Sequence, residues 1–243
     1  APATETHGAV HSTWQNSVSD PAVTWTGASD SHSGVKGYYW YFGTDSGADP
    51  TNWTASASCD PSAVSSGIYY LRVKTEDNAG NKSSAVTLFT FKYDGTAPSD
   101  PTTVSSSSHN PSVWSKDSTI DMSWSGAWDG HSGVNGYSFS FTQSPTDVPD
   151  TTVDGSGTGC TSPALTSASN WHFHIRTKDN AGNWTSTVHR GPYYIDTFIP
   201  SNPSAPATET HGAVNNTWQN SVSDPAFTWT GASDSHSGVK GYY

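Results

Sequence analysis

Residues 205–243 repeat residues 1–39 with three changes, Asn215 for His11, Asn216 for Ser12 and Phe227 for Val23, so 36 of 39 positions are identical at an offset of 204. A looser repeat runs inside that unit. Ser33-Gly34-Val35-Lys36-Gly37-Tyr38 returns as Ser132-Gly133-Val134-Asn135-Gly136-Tyr137, and Asp77-Asn78-Ala79-Gly80-Asn81 returns 102 residues later as Asp179-Asn180-Ala181-Gly182-Asn183. Self-similarity at a fixed period means that one small unit, with its own core, is built again and again. The chain therefore divides into unit A (residues 1–96), unit B (97–200) and the first part of a second unit A (201–243). Near identity at 204 beside weak identity at 102 indicates that an A–B pair was duplicated as a block, so the parent protein is expected to be a longer array. Tyr243 falls inside an expected strand. The third unit is then completed either by continuing chain or by a strand from another copy.

Composition decides what one unit is. Ser (40) and Thr (31) dominate, yet 11 Trp are present, and 22 Gly with 15 Pro punctuate the chain. Disordered Ser/Thr tails lack such rings, and helices would be broken too often. Thin β-domains, with a few large rings inside and hydroxyl side chains outside, fit. Short alternating stretches separated by turn signals predict about seven strands per unit. Trp171-His172-Phe173-His174-Ile175-Arg176 places Trp171, Phe173 and Ile175 on one face, with Tyr69-Tyr70-Leu71-Arg72-Val73 in the same phase in unit A. Ala22 to Trp25 and Ile120 to Trp124 read as the second strand, which makes Trp25, Trp124 and Trp229 packing residues. Pro-stiffened linkers follow at 93–101 and 195–203, so the units are expected to line up as a rod.

A strand ending in Asp-x-Ala-Gly-Asn, a last strand ending in Asp followed by Thr and Pro (Asp94-Gly95-Thr96-Ala97-Pro98), and an upstream Ser-Gly-Val-x-Gly-Tyr together resemble the bacterial Ig-like or fibronectin-III-like tandem repeats of large extracellular, adhesin-type surface proteins. The resemblance covers essentially the whole chain. It implies an all-β fold of tandem Ig-like sandwiches, a place outside the cell, and a role as stalk, spacer or adhesive array without catalysis.

In such a sandwich the loop between the second and third strands and the turn before the last strand lie at the end that receives the preceding linker. Asp129 and Asp179 should approach Asp94; Asp234 should face Asp196; Asp30 and Asp77 should face an upstream linker. Oxygen ligands of this kind suit Ca²⁺, and related repeats resemble this in using interdomain calcium to stiffen the array. The competing reading is that each Asp caps its own turn. Asn52, Asn81, Asn183 and Asn215 fit the N-glycan pattern, and Ser105 to Ser108 form an O-glycan candidate. Cys59 and Cys160, one per unit, read as small buried side chains. His172 and His174 stand two apart on the outer strand face, and without a third ligand nearby in sequence they read as exposed surface.

A net charge of −11 with 10 Lys plus Arg argues against nucleic-acid partners, and no apolar run is long enough for a membrane helix. No nucleophile-base motif or phosphate loop stands out, so an enzyme is not expected. Two functions remain. One is a structural segment of an extracellular fibre, filament or adhesin stalk, partnered by copies of itself and by glycans. The other is a carbohydrate-binding or accessory module of a secreted polysaccharide-acting protein, suggested by Tyr38, Tyr39, Trp40, Tyr41 and Phe42 on both strand faces and by Trp14, Trp53, Trp128 and Trp184 outside the expected core.

Overall fold

The computed structural model describes residues 3–203 and 208–243. Unit A contains β1 (Thr4–Glu5), β2 (Trp14–Gln15), β3 (Val23–Thr24), β4 (Val35–Gly43), β5 (Asn52–Thr54), β6 (Ser58–Cys59), β7 (Gly67–Asp77) and β8 (Val86–Tyr93). Unit B contains β9 (Thr103–Ser106), β10 (Trp114–Ser115), β11 (Asp121–Ser125), β12 (Val134–Thr142), β13 (Gly159–Thr161), β14 (Ala168–Asp179) and β15 (Val188–Ile195). Two further strands, β16 (Thr208–Glu209) and β17 (Phe227–Thr228), follow. The fold is all-β, and the described residues include no helix long and apolar enough to cross a membrane.

Each complete unit is a two-sheet sandwich. In unit A the sheets run β1-β3-β6 and β2-β8-β7-β4-β5; in unit B they run β13-β11-β9 and β10-β15-β14-β12. The short β2 and β10 pair parallel to the last strand of their unit, while the other pairings are antiparallel. A three-stranded sheet thus faces one built on the long hairpin strands, of five strands in unit A and four in unit B. The third copy begins identically, with Thr208 opposite Thr228 as Thr4 is opposite Thr24.

Alternation delivers the core. Leu71, Val73, Phe89 and Phe91 are buried in unit A, and Phe173, Ile175, Tyr193 and Ile195 in unit B. Full burial of such a side chain is worth about 1.5–3 kcal/mol, so the long strands dominate the favourable side. Against them pack Trp25 and Trp124 from the facing sheets. Each indole meets the Tyr of the next strand edge-to-face: Trp25 with Tyr38 at 5.5 Å and Trp124 with Tyr137 at 5.3 Å. Trp229 and Tyr242 form the same pair at 5.4 Å, although Trp229 is 43% exposed. Its facing strands are not among residues 208–243, which is why the expected burial is incomplete.

The Ser-Gly-Val-x-Gly-Tyr motif owes its two glycines to different constraints. Gly34, Gly133 and Gly238 have φ near +80°, namely +77°, +80° and +78°, a region that disfavours side chains. At Gly37 a Cβ would stand 2.6 Å from the Thr54 carbonyl oxygen, and at Gly136 2.8 Å from that of Gly155. Those positions need glycine because neighbouring backbone comes too close.

The outer face differs from its expected character at one residue. His174 is completely buried, not exposed. Alternation correctly turns it away from Phe173, but Thr142 at the end of β12 and His189 on β15 close over the ring. Strand phase assigns a face; it does not reveal that other groups cover it.

Candidate functional site: the junction between sandwiches

Asp94 is the first residue after β8. Its N–H donates to the Gln15 carbonyl at 3.0 Å, which keeps it registered on β2 of its own unit. Its side chain is fully buried and points into unit B. There Oδ2 accepts the Ser132 N–H at 3.1 Å, while Oδ1 accepts the Thr96 N–H at 3.1 Å and stands 3.9 Å from His131 Nδ1. Burial by itself would raise the Asp94 carboxyl, but the bonds from Ser132 and Thr96 outweigh it and hold the group below its usual value.

Two elements of unit B receive the linker. In the loop before β12, Asp129 Oδ2 accepts the N–H groups of His131 (3.2 Å) and Gly133 (2.6 Å). At the end of β14, Asp179 Oδ1 accepts those of Gly182 (2.7 Å) and Asn183 (2.8 Å) in the turn that follows. Asn180 ties loop to turn, its Nδ2 donating to the Ser132 carbonyl at 2.8 Å and its N–H to the Gly133 carbonyl at 3.0 Å. Carboxylate oxygens of Asp94, Asp129 and Asp179 all lie within 4.8 Å of one another. Three negative groups at that spacing repel in a low-dielectric site unless donors or a cation compensate. The backbone N–H groups supply part of that compensation. Asp129 makes these bonds through Oδ2, and the donor set of carboxylates with nearby carbonyls has the hard-oxygen character that Ca²⁺ takes.

Asn183 closes the joint. Its Nδ2 donates to the Asp94 carbonyl (2.8 Å), the Thr96 carbonyl (3.3 Å) and Asp179 Oδ2 (2.7 Å), and its Oδ1 accepts from Asn16 Nδ2 of unit A at 2.9 Å. A glycan on Asn183 would replace a hydrogen that already serves the junction. Asn52, Asn81 and Asn215 are exposed, with Asn81 bonded only locally, through Nδ2 to Asp77 Oδ2 at 2.8 Å. The acceptor pattern at Asn81 and Asn183 gave no hint of this difference. Its cause is a partner nearly ninety residues away in sequence.

The second junction repeats the first. Asp196 Oδ2 accepts the Ser237 N–H at 2.9 Å, Asp234 Oδ1 accepts that of Gly238 at 2.9 Å, and His236 Nδ1 stands 4.0 Å from Asp196. Phe198 stacks on His236 with centroids 5.0 Å apart, a contact the first junction lacks because Thr96 occupies that linker position. In unit A the N–H groups of Ser33 and Gly34 both go to Asp30 Oδ1, at 2.7 and 2.9 Å, and Asp77 caps Asn81. Asp30 and Asp77 line a shared cleft of about 220 Å³.

Exposed rings stand at the first joint and elsewhere on unit A. Trp128, 69% exposed, accepts the Ser99 N–H at its carbonyl, donates its own N–H to the Ser99 hydroxyl, and forms the wall of a cleft of about 290 Å³ with Pro98, Asp129 and His131. Trp53 is 49% exposed; Trp184 is covered by the Arg176 guanidinium at 4.5 Å. Both cysteines are free, and burial pushes each thiol up to about 12, which suppresses thiolate chemistry.

No protein-family model matches the chain. It is 32% identical over 168 residues to Chitinase A1 of Niallia circulans, covering 66% of this chain and 22% of that protein. It is 30% identical over 237 residues to Exoglucanase B of Cellulomonas fimi, covering 92% of this chain and 19% of that protein. The chain thus spans about a fifth of the length of these curated relatives. Among solved structures, the fibronectin(III)-like modules of Clostridium thermocellum CbhA align with a TM-score of 0.39 at 13% identity, over 77% of this chain and 90% of theirs. The chicken CNTN1 FN1–FN3 domains align at 0.33 and 16%, over 77% and 67%.

Proposed function

We propose that this chain is a non-catalytic accessory segment of an extracellular polysaccharide-acting protein, in which jointed sandwiches hold working domains at a set spacing from each other and from their insoluble substrate. The observation that carries this reading is the 30% identity to Exoglucanase B across 92% of the chain, joined to a relative of which it spans only 19%. A stretch that small within a large enzyme has the proportions of a spacer. The Asp94–Ser132 and Asp196–Ser237 joints support it, because a repeated hydrogen-bonded joint limits the angle between neighbours. Exposed Trp53 and Trp128 offer ring faces of the kind that stack on sugars.

A pull-down on chitin and cellulose, paired with small-angle scattering of the free chain, tests this. Retention on a polysaccharide together with an extended scattering profile is the expected result. Absence from both pellets, with a compact profile, overturns it. A second reading, a fibre or adhesin stalk, is favoured by the 36-in-39 identity of the outer copies, since periodic filaments need near-identical repeats. Electron microscopy showing continuous fibres with a two-unit period would favour it over the accessory role.

Within either reading, we propose that Ca²⁺ seats between Asp94, Asp129 and Asp179 and stiffens the joint. Chelation with EGTA should lower the melting temperature of the wild-type chain and leave Asp179→Asn unmoved; a wild-type melt that ignores EGTA overturns the idea.

A further inference from the structure

We infer that the joint between units A and B carries a sugar-binding subsite, built on Trp128, that takes one pyranose ring of a neutral polysaccharide. The internal repeat marks the position. Trp128 and Gly130 flank Asp129 in unit B, where unit A has Ser29 and Ser31 around Asp30, and the third copy has Ser233 and Ser235 around Asp234. The backbone does not need the indole. At the second joint Ser233 makes the same two bonds with Ser201 that Trp128 makes with Ser99, an N–H to the hydroxyl and a carbonyl to the N–H, all four at 2.8 Å.

Trp128 nevertheless leaves 69% of its surface in solvent, although tryptophan is on average highly buried. An indole left that exposed forfeits most of the stabilisation its burial would bring, so packing does not account for it. Gly130 accounts for its placement. A Cβ at that position would stand 2.7 Å from Trp128 Cη2 and 3.3 Å from Cζ3. The serine of the other copies would push the indole away, whereas glycine lets its far end lie against the loop. Trp128 and Gly130 are a matched pair: one supplies an exposed ring, and the other seats it.

The chemistry of the adjoining cleft selects the ligand. Its volume of about 290 Å³ suits a single sugar ring, and Pro98 lines it together with Trp128. The axial hydrogens of a pyranose form an apolar face that packs on an aromatic ring, while its hydroxyls need a few polar groups around the rim. Ser99 Oγ accepts the Trp128 N–H and keeps its own hydrogen without an acceptor among the described residues. At the second joint Ser201 donates that hydrogen to the Ser233 carbonyl at 3.2 Å. The Asp129 carboxylate and the His131 imidazole line the rest of the rim. Asp94 lies 3.9 Å behind His131, and the cleft has no Lys or Arg in its lining. Two carboxylates without a fixed cation repel uronates and sulfated sugars, so the occupant is a neutral sugar. The choice of a sugar rests on the polysaccharide-acting reading; the seated, exposed indole does not.

Titrating cellohexaose, chitohexaose and an oligogalacturonate into the full chain, with the Trp128 indole N–H followed in ¹H–¹⁵N spectra, tests the subsite. At least one neutral oligosaccharide should shift that resonance, and the one that does identifies the sugar; the oligogalacturonate should leave it in place. Trp128→Ser/Gly130→Ser installs the loop that the third copy already uses and should therefore fold. By calorimetric titration it should weaken binding at least about tenfold. Gly130→Ser alone, which keeps the indole but displaces it, should weaken binding in the same direction. An unmoved Trp128 resonance with both neutral oligosaccharides, equal binding of the oligogalacturonate, or undiminished affinity in the double variant overturns the subsite. Retention on chitin or cellulose that survives the double substitution would overturn it too, while leaving the accessory role in place.

Discussion

The Asp94 carboxylate, at the end of one sandwich, accepts the backbone N–H of Ser132 in the next, and Asp196 does the same for Ser237. In unit A the corresponding N–H, that of Ser33, is taken by Asp30 of its own loop. One donor therefore has two possible acceptors. Docking amounts to handing the Ser N–H from the local Asp to the linker Asp, which leaves the local Asp to hold the N–H groups of the flanking His and Gly.

That exchange predicts the outcome of removing the linker acid. In Asp94→Ala, Asp129 can take the Ser132 N–H as Asp30 takes that of Ser33. Scattering should report a broader distribution of inter-unit angles while the calorimetric transition of unit B barely moves. Removing both acids leaves the donor unpaired. Asp94→Ala/Asp129→Ala should cost unit B about 1–3 kcal/mol, or roughly 4–8 °C per kcal/mol for a domain of this size. A large loss of unit B stability in the single variant would contradict the handover.

Acid should act on the same joint. Asp94 has a lowered folded pKa, the donors from Ser132 and Thr96 outweighing burial. A carboxylate of that kind contributes stability above its unfolded value, about 3.9, and loses it as pH falls through the lower folded value. In metal-free buffer the inter-unit geometry should be constant from neutral pH to about 4 and then loosen. Asp94→Asn should flatten the dependence, as measured by scattering across a pH series.

Much of this was legible because the motifs sit in register. The resemblance to tandem Ig-like sandwiches implied that the loop before β12 and the turn at the end of β14 meet the linker, so Asp94, Asp129 and Asp179 were expected at one end of unit B. Asn183 does more than its acceptor pattern shows, for a physical reason. A three-residue acceptor pattern is local, while its amide bonds to Asp94, Thr96 and Asn16 through chain folded back from unit A. His174 escaped notice similarly. Strand alternation reports which way a side chain points, and the hydroxyl and imidazole that cover it come from β12 and β15.

The two glycines of the repeated motif should fail for different reasons. Gly136→Ala puts a Cβ 2.6 Å from Val153 Cγ1 and 2.8 Å from the Gly155 oxygen, overpacking that costs about 1–3 kcal/mol. Gly133→Ala meets no such clash, but its φ of +80° imposes about 1–2 kcal/mol of backbone strain. Gly155→Ala, with nothing within 4 Å of the new carbon, should be nearly silent. Chemical denaturation of unit B in the three variants checks the order.

Trp124 gives the most severe expectation and the most informative control. Its indole packs on Tyr137, Phe139 and Phe173 between the two sheets, so Trp124→Ala should cost about 3–5 kcal/mol through lost contacts and a cavity. Against a domain stability of about 5–15 kcal/mol, that brings unit B near its unfolding threshold. Yet Nε1 of Trp124 is buried without a hydrogen-bond partner, as is Nε1 of Trp25 at the matching position of unit A. An unpaired buried donor costs about 1–3 kcal/mol. Trp124→Phe removes it together with part of the ring, so its loss should be clearly smaller than that of Trp124→Ala. Calorimetry should show only the unit B transition falling in both variants. Equal losses for Phe and Ala would mean that the indole N–H is satisfied by water, with ring volume contributing little beyond it.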